Sequence, residues 1–234
     1  MSPRSTPAFL ALAHAVLLFL ASQGVAAEDV AEPKVELKKG DRVIFLGDSL
    51  TALAIKDTHV PEGKGYVPRV REALKAKGVE VDAVATGGHK VTDLLKRVDA
   101  DVIAKKPSVV VIQIGVNDAS AGVTPEAFKS QLEELIGKLE RGGARVVQCT
   151  CTCRIEGYNP QDAMDQKLDR LADVARTIAR EKKLPLIDLR KAFIEYWKKH
   201  NPDNQPKGFL TYDGNHWTET GHAYVAEQML KTLK

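Results

Sequence analysis

The chain of 234 residues is 44% hydrophobic, 28% charged and 6% aromatic, the make-up of one globular domain with at most a small appendage. Its apolar content excludes a disordered chain, its three cysteines exclude a disulfide-stapled miniprotein, and no glycine or proline period marks a fibre. Thirty-four basic and 31 acidic residues give a formal net charge of +3 spread along the chain, so charge points to neither a nucleic-acid partner nor an anionic membrane.

Arg4, the apolar run Ala8 to Ala21 and the small residues Val25-Ala26-Ala27 ahead of Glu28 have the organisation of a secretory signal peptide, residues 1–27, cleaved after Ala27. The apolar run is shorter than the roughly 20 residues a membrane-spanning helix needs. No cysteine follows it to carry a lipid, so no stable membrane anchor is expected and the product is secreted or periplasmic. Residues 28–39 are polar, without sustained period, and are expected to lie over the surface as a leader. The domain is expected to occupy residues 40–234.

From Gly40 onward, short apolar runs alternate with amphipathic stretches, the pattern of βα units around a parallel sheet buried on both faces. Five strands are expected, at Arg42 to Leu46, Val79 to Ala85, Ser108 to Ile114, Ala144 to Thr150 and Leu184 to Leu189. The third is the most apolar and β-branched and belongs near the sheet centre. Helices are expected over Val67 to Lys77, Thr92 to Val102, from Thr124-Pro125 to the stop at Gly142-Gly143, and over Asp162 to Lys182, Arg190 to His200 and Gly221 to Lys231. In such open sheets ligands bind beyond the carboxyl ends of the strands, so chemistry belongs just after a strand.

Three polar blocks follow expected strands. Gly47-Asp48-Ser49-Leu50 places a serine hydroxyl on a sharp strand-to-helix turn, with its own N–H aimed where an oxyanion forms. Thr86-Gly87-Gly88-His89 offers unhindered backbone N–H groups, and Gly115-Val116-Asn117-Asp118 offers the Asn117 side-chain amide. Each alone is equally a turn or helix cap. A fourth block, Asp213-Gly214-Asn215-His216, precedes the last helix. An aspartate three residues before a histidine across a tight turn can hold one ring nitrogen and leave the other to take a proton from a serine.

Together and in this order, the blocks GDSL (Gly47 to Leu50), Gly88, GVND (Gly115 to Asp118) and DGNH (Asp213 to His216) resemble the four blocks of the SGNH, or GDSL-type, hydrolases, over about Asp41 to Lys231. The resemblance implies an α/β fold, a three-layer α/β/α sandwich on a five-stranded parallel sheet of flavodoxin-like order 2-1-3-4-5. It also implies ester or thioester hydrolysis without metal or other cofactor. Carried over block by block, Ser49 is the nucleophile, Asp213 and His216 complete the triad, and the Ser49 and Gly88 N–H groups with the Asn117 side chain form the oxyanion hole. Gly88 is preferred to Gly87 because an Asp-Leu pair, Asp93-Leu94, stands five residues on. Ala83, His89-Lys90 and Val116 depart from residues frequent in the family, so the pocket around an intact catalytic set is atypical.

The segments flanking the site, Thr51 to Gly65 and Asn201 to Gly208, are polar and favour a short acyl group on a polar carrier, foremost a carbohydrate O-acetyl ester. A lysophospholipase or thioesterase acting on lipid acyl chains is the alternative, and a carbohydrate-binding module that has kept the pocket but not turnover is the non-enzymatic one. Trp217 is either a sugar platform at the rim or part of the interior. Cys149, Cys151 and Cys153 alternate at the end of the fourth strand and are expected as small side chains packed beside the pocket rather than a zinc site, with at least one thiol free.

Overall fold

A computed structural model describes residues 34–234, and the expected signal peptide lies outside them. Five parallel strands, β1 (Arg42–Gly47), β2 (Glu80–Ala85), β3 (Val109–Gln113), β4 (Arg145–Cys149) and β5 (Leu186–Ile187), form one sheet in the order β2-β1-β3-β4-β5. The expected α/β class and strand order are thus observed. Pairing runs in step across the centre, with Val43 opposite Val109 and Gly47 opposite both Ala85 and Gln113. Every residue of β3 is buried, as the apolar, β-branched run required of the central strand.

Helices α3 (Val91–Asp101), α5 (Pro125–Arg141) and α6 (Ala163–Lys182) pack in series on one face. On the other, α2 (Tyr66–Lys75) packs on α8 (Glu219–Thr232), and α7 (Leu189–His200) joins α8 through the Tyr224 hydroxyl, which donates to the Ala192 carbonyl over 3.0 Å. Phe128, Leu132, Leu135, Ile136 and Leu139 form the buried stripe of α5, and Thr124 Oγ1 caps that helix by accepting from Ala127 N–H. Burial of these stripes against the sheet is the main stabilising term.

Two expectations change. The fifth strand is two residues long rather than six, because Asp188 turns the chain into α7: its side chain accepts from Lys191 N–H, and Arg176 grips it from α6 over 2.7 Å. The leader does not simply cover the surface. Val35 is buried, bridges Leu233 in parallel and exchanges backbone hydrogen bonds with Thr232 and Lys234, so the segment enters the fold at its far end. Two five-residue helices, α1 (Ser49–Leu53) and α4 (Val116–Ser120), follow β1 and β3 directly. Among the described residues, no helix is long and apolar enough to cross a membrane.

Candidate active site

The site stands at the carboxyl edge of the sheet. Gly47 ends β1 where no other residue fits, since a Cβ there would lie 2.4 Å from Thr51 Oγ1 and 2.6 Å from the Gln113 carbonyl oxygen. That close approach turns the chain sharply and sets Ser49 at the start of α1, capped by Asp48, whose Oδ1 accepts from Leu50 N–H over 3.0 Å. Ser49 Oγ lies 3.0 Å from His216 Nε2, and His216 Nδ1 lies 2.7 Å from Asp213 Oδ2. Asp213 Oδ1 accepts from the N–H groups of Asn215 and His216, which fixes the turn the histidine stands on. Burial pushes the Asp213 carboxyl up, but the His216 ring and these N–H groups prevail and hold it down to about 2, so it is a carboxylate at neutral pH.

Gly214 permits the turn. Its φ of +95° suits glycine alone, and a Cβ would stand 3.0 Å from the Arg154 carbonyl oxygen and 3.2 Å from that of Pro206. Thr211 Oγ1 accepts from Gly214 N–H, and Tyr212 N–H bonds the His216 carbonyl. Ahead of this turn, the buried carboxylate of Glu156 accepts from the N–H groups of Phe209, Leu210 and Thr211, so one side chain fixes the backbone that leads to Asp213.

The other expected residues converge on Ser49. A Cβ on Gly87 would lie 3.7 Å from Ser49 Cβ, while Gly88, at φ +77°, has open space around it. Asn117 sits in the first turn of α4, where its Nδ2 donates to the His89 carbonyl over 3.1 Å and to Asp48 Oδ2 over 3.3 Å. His89 takes part through this carbonyl, its ring nitrogen Nδ1 accepting instead from Arg97 Nε over 3.2 Å. Ser49, His216 and Asp213 thus stand in series, Asn117 is tied to Asp48 beside them, and Gly87, the neighbour of Gly88, lies against Ser49.

Sequence reasoning missed several groups around them. Burial raises the Asp48 carboxyl to about 7, with the negative charge of Asp118 adding to the effect and Leu50 N–H opposing it. Burial likewise raises Asp118 to about 6 against the pull of Val91 N–H. Both lie inside the quoted blocks, where short polar residues read as turn formers. Asn215 Nδ2 stands 3.3 Å from the same His216 nitrogen that faces Ser49. Tyr212 stacks between His59 and His216, its centroid 4.2 Å and 6.0 Å from theirs. Glu156 had no sequence signal, because its partners lie more than fifty residues away.

Trp217 is interior, 1% exposed and packed on Tyr66, Phe193 and His222. The three cysteines are free and buried; Cys151 touches the Leu168 carbonyl and Cys153 the Gly214 carbonyl, each at 3.4 Å. Among the described residues, no cluster of three or more His, Cys, Asp or Glu is arranged to hold a metal ion.

Residues 45–224 match the sequence profile of the GDSL-like lipase/acylhydrolase family. The chain belongs to that family. As a GDSL-like acylhydrolase it is a carboxylic ester hydrolase, and two acetylxylan esterases align with it over nearly their full length. An acetylxylan esterase of Geobacillus stearothermophilus is 28% identical over 221 residues, covering 85% of this chain and 96% of the relative. The crystal structure of Axe2, an acetylxylan esterase from Geobacillus stearothermophilus, is 26% identical and superposes with a TM-score of 0.72, covering 85% of this chain and 96% of that one. The crystal structure of another acetyl xylan esterase, AlAXEase, is 32% identical with a TM-score of 0.76, covering 82% of this chain and all of that one. This GDSL-like hydrolase thus combines the family's sheet with a serine, a histidine and an aspartate in hydrogen-bonded series.

Proposed function

We propose that the protein is an exported serine esterase that removes short acyl groups, foremost O-acetyl, from a carbohydrate. The observation that carries the mechanism is the series Asp213–His216–Ser49, with contacts of 2.7 and 3.0 Å. Asp213 orients the ring with Nδ1 protonated, leaving the Nε2 lone pair to accept the Ser49 proton as Oγ attacks the ester carbonyl. The carbonyl electrons move onto oxygen, where the Ser49 and Gly88 N–H groups and the Asn117 amide stabilise the charge. Collapse expels the alcohol, protonated by His216, and leaves an acyl-serine. Water, deprotonated by the same histidine, then attacks the acyl carbon and releases the acid.

The Asn117 amide enters this scheme already bonded to Asp48 and to the His89 carbonyl, so it is oriented before substrate arrives. Its donation to the oxyanion requires it to share or release one of these partners. The carrier assignment rests on the polar flanking segments and on the acetylxylan esterases among the relatives. The crystallised variants of the Geobacillus relative include catalytic mutants of a serine, an aspartate and a histidine, the same three residue types as in this series. Export with cleavage after Ala27 follows from residues 1–27 and agrees with a polymeric substrate outside the cell.

Fluorophosphonate labelling tests the mechanism: wild type is expected to carry one adduct on Ser49, and Ser49→Ala none. Full activity of Ser49→Ala on p-nitrophenyl acetate would overturn it. A series of p-nitrophenyl esters tests the acyl group, with acetate expected to be preferred; a preference for eight carbons or more would favour a lipid substrate instead.

A further inference from the structure

The turn that carries Asp213 and His216 leans on the loop that follows β4. The Gly214 backbone abuts the Arg154 carbonyl and Ile155 Cα, and Cys153 Sγ donates to the Gly214 carbonyl. The same loop walls a cavity of about 390 Å³, lined by Arg154 to Asn159, the first turn of α6 and Asn204. That volume falls within the range of roughly 300–1,000 Å³ typical of small-ligand sites.

The cavity is built on a rigid base. The fully buried Arg190 bonds Asp165 over 2.6 Å, Asp169 over 2.8 Å and the Thr152 carbonyl over 2.8 Å. Its guanidinium carbon lies 5.5 Å from the centroid of the Tyr158 ring, and the Tyr158 hydroxyl donates to Asp169 over 3.1 Å. The ring is therefore oriented without a ligand, which lowers the entropic cost of binding one. The acids of the lining are already used: Asp162 caps α6, and Asp165 takes Arg190 and Asn159 N–H. Arg154, in contrast, is exposed, and so is Ile155, at 58% one of two large apolar side chains left open to solvent among the described residues. The Arg154 charge also acts on Asp48, the residue before Ser49.

A fixed aromatic ring, an open apolar surface and an uncommitted cation beside the catalytic turn match a neutral pyranose better than an acyl chain, which would find no closed apolar channel here. We propose that this cavity is the subsite for the sugar that carries the ester, its ring face on Tyr158 and Ile155 and its hydroxyls bonded by Arg154 and Asn159 Nδ2. The inference rests on the carbohydrate-ester reading of the same active site.

The test compares kcat/KM for acetylated xylobiose with that for p-nitrophenyl acetate, in wild type, Arg154→Ala, Tyr158→Ala and Tyr158→Phe. The ratio of the two values is insensitive to the fraction of folded enzyme. Losing a charged hydrogen bond or the stacking face is expected to lower it about tenfold or more in each alanine variant, while Tyr158→Phe, which keeps the ring, stays within about threefold of wild type. An unchanged ratio in the alanine variants overturns the subsite, whether the two activities persist or fall together. A wild-type enzyme that hydrolyses p-nitrophenyl acetate but not acetylated xylobiose overturns the carbohydrate reading, and the subsite with it.

Discussion

His222 provides a quantitative test of how the interior beside the active site is held. Its ring is 1% exposed, stacked on Tyr66 and set edge-on to Trp217, and its Nε2 has no partner. Burial drives its pKa down from 6.5 to about 4; Asp57 pulls weakly the other way and Arg69 adds to the drop. The unfolded chain therefore binds more protons than the folded one between these two values. This contribution to stability is intact above pH 6.5 and drains away as the pH falls toward 4. Two-state linkage between those pKa values puts the loss at about 2 kcal/mol by pH 5, rising to about 3 kcal/mol below pH 4. His222→Leu removes the titration while keeping an apolar side chain of similar size. Urea unfolding of both proteins at pH 8 and pH 5 should show the wild type losing about 2 kcal/mol more than the variant, or roughly 4–8 °C in Tm for a domain of this size. Parallel losses in the two proteins would refute the reasoning, since the histidine would then be either charged in the fold or as free to titrate there as in the unfolded chain.

Asn117→Ala should unfold like wild type yet turn over p-nitrophenyl acetate about 10²- to 10³-fold more slowly, the usual effect of removing a side-chain oxyanion donor; an unchanged kcat would take Asn117 out of the oxyanion hole. Glu156→Gln keeps one acceptor oxygen for three N–H groups, and should lose about 2 kcal/mol in urea unfolding and lower kcat more than it alters KM, since the turn it anchors carries Asp213 and His216. Burial pushes Cys151 up to about 12 and its two neighbours higher still, so a disulfide reagent is expected to find no reactive thiol in the native protein at pH 8 and three after denaturation.

The sheet was legible because its strands are short, apolar and separated by capped amphipathic helices: Val109 to Ile112 declared the centre, and Thr124-Pro125 and Asp162 declared helix starts that the structure keeps. The residues gathered at the site were legible because the topology delivers the ends of β1, β2 and β3 to one edge, where Ser49, Gly88 and Asn117 follow within a few positions. What stayed hidden depends on contacts distant in sequence or on segments too short to show a period. α1 and α4 span five residues each, less than two turns, and their polar residues look like loop. Leu186 and Ile187 looked like part of a longer strand because nothing local announces that Asp188 is held by Arg176 from another helix. Trp217 carried no mark of its side until Tyr66 and Phe193 closed over it. The cavity walled by Arg154 and Tyr158 draws nearly all its lining from residues 154–165, but that loop is held open by Asn204 and by Arg190 on Asp165 and Asp169, distant contacts that no local pattern announces.

The bridge between Val35 and Leu233 also sets the molecule's orientation toward whatever it is joined to. Helix α8 starts three residues after His216 and ends beside that bridge, so its 14 residues, at about 1.5 Å each, put roughly 20 Å between the catalytic turn and the place where both ends of the described chain meet. A fusion partner, surface tether or immobilisation handle attached at either end therefore leaves from the pole opposite the serine. The mouth of the site then faces away from the point of attachment.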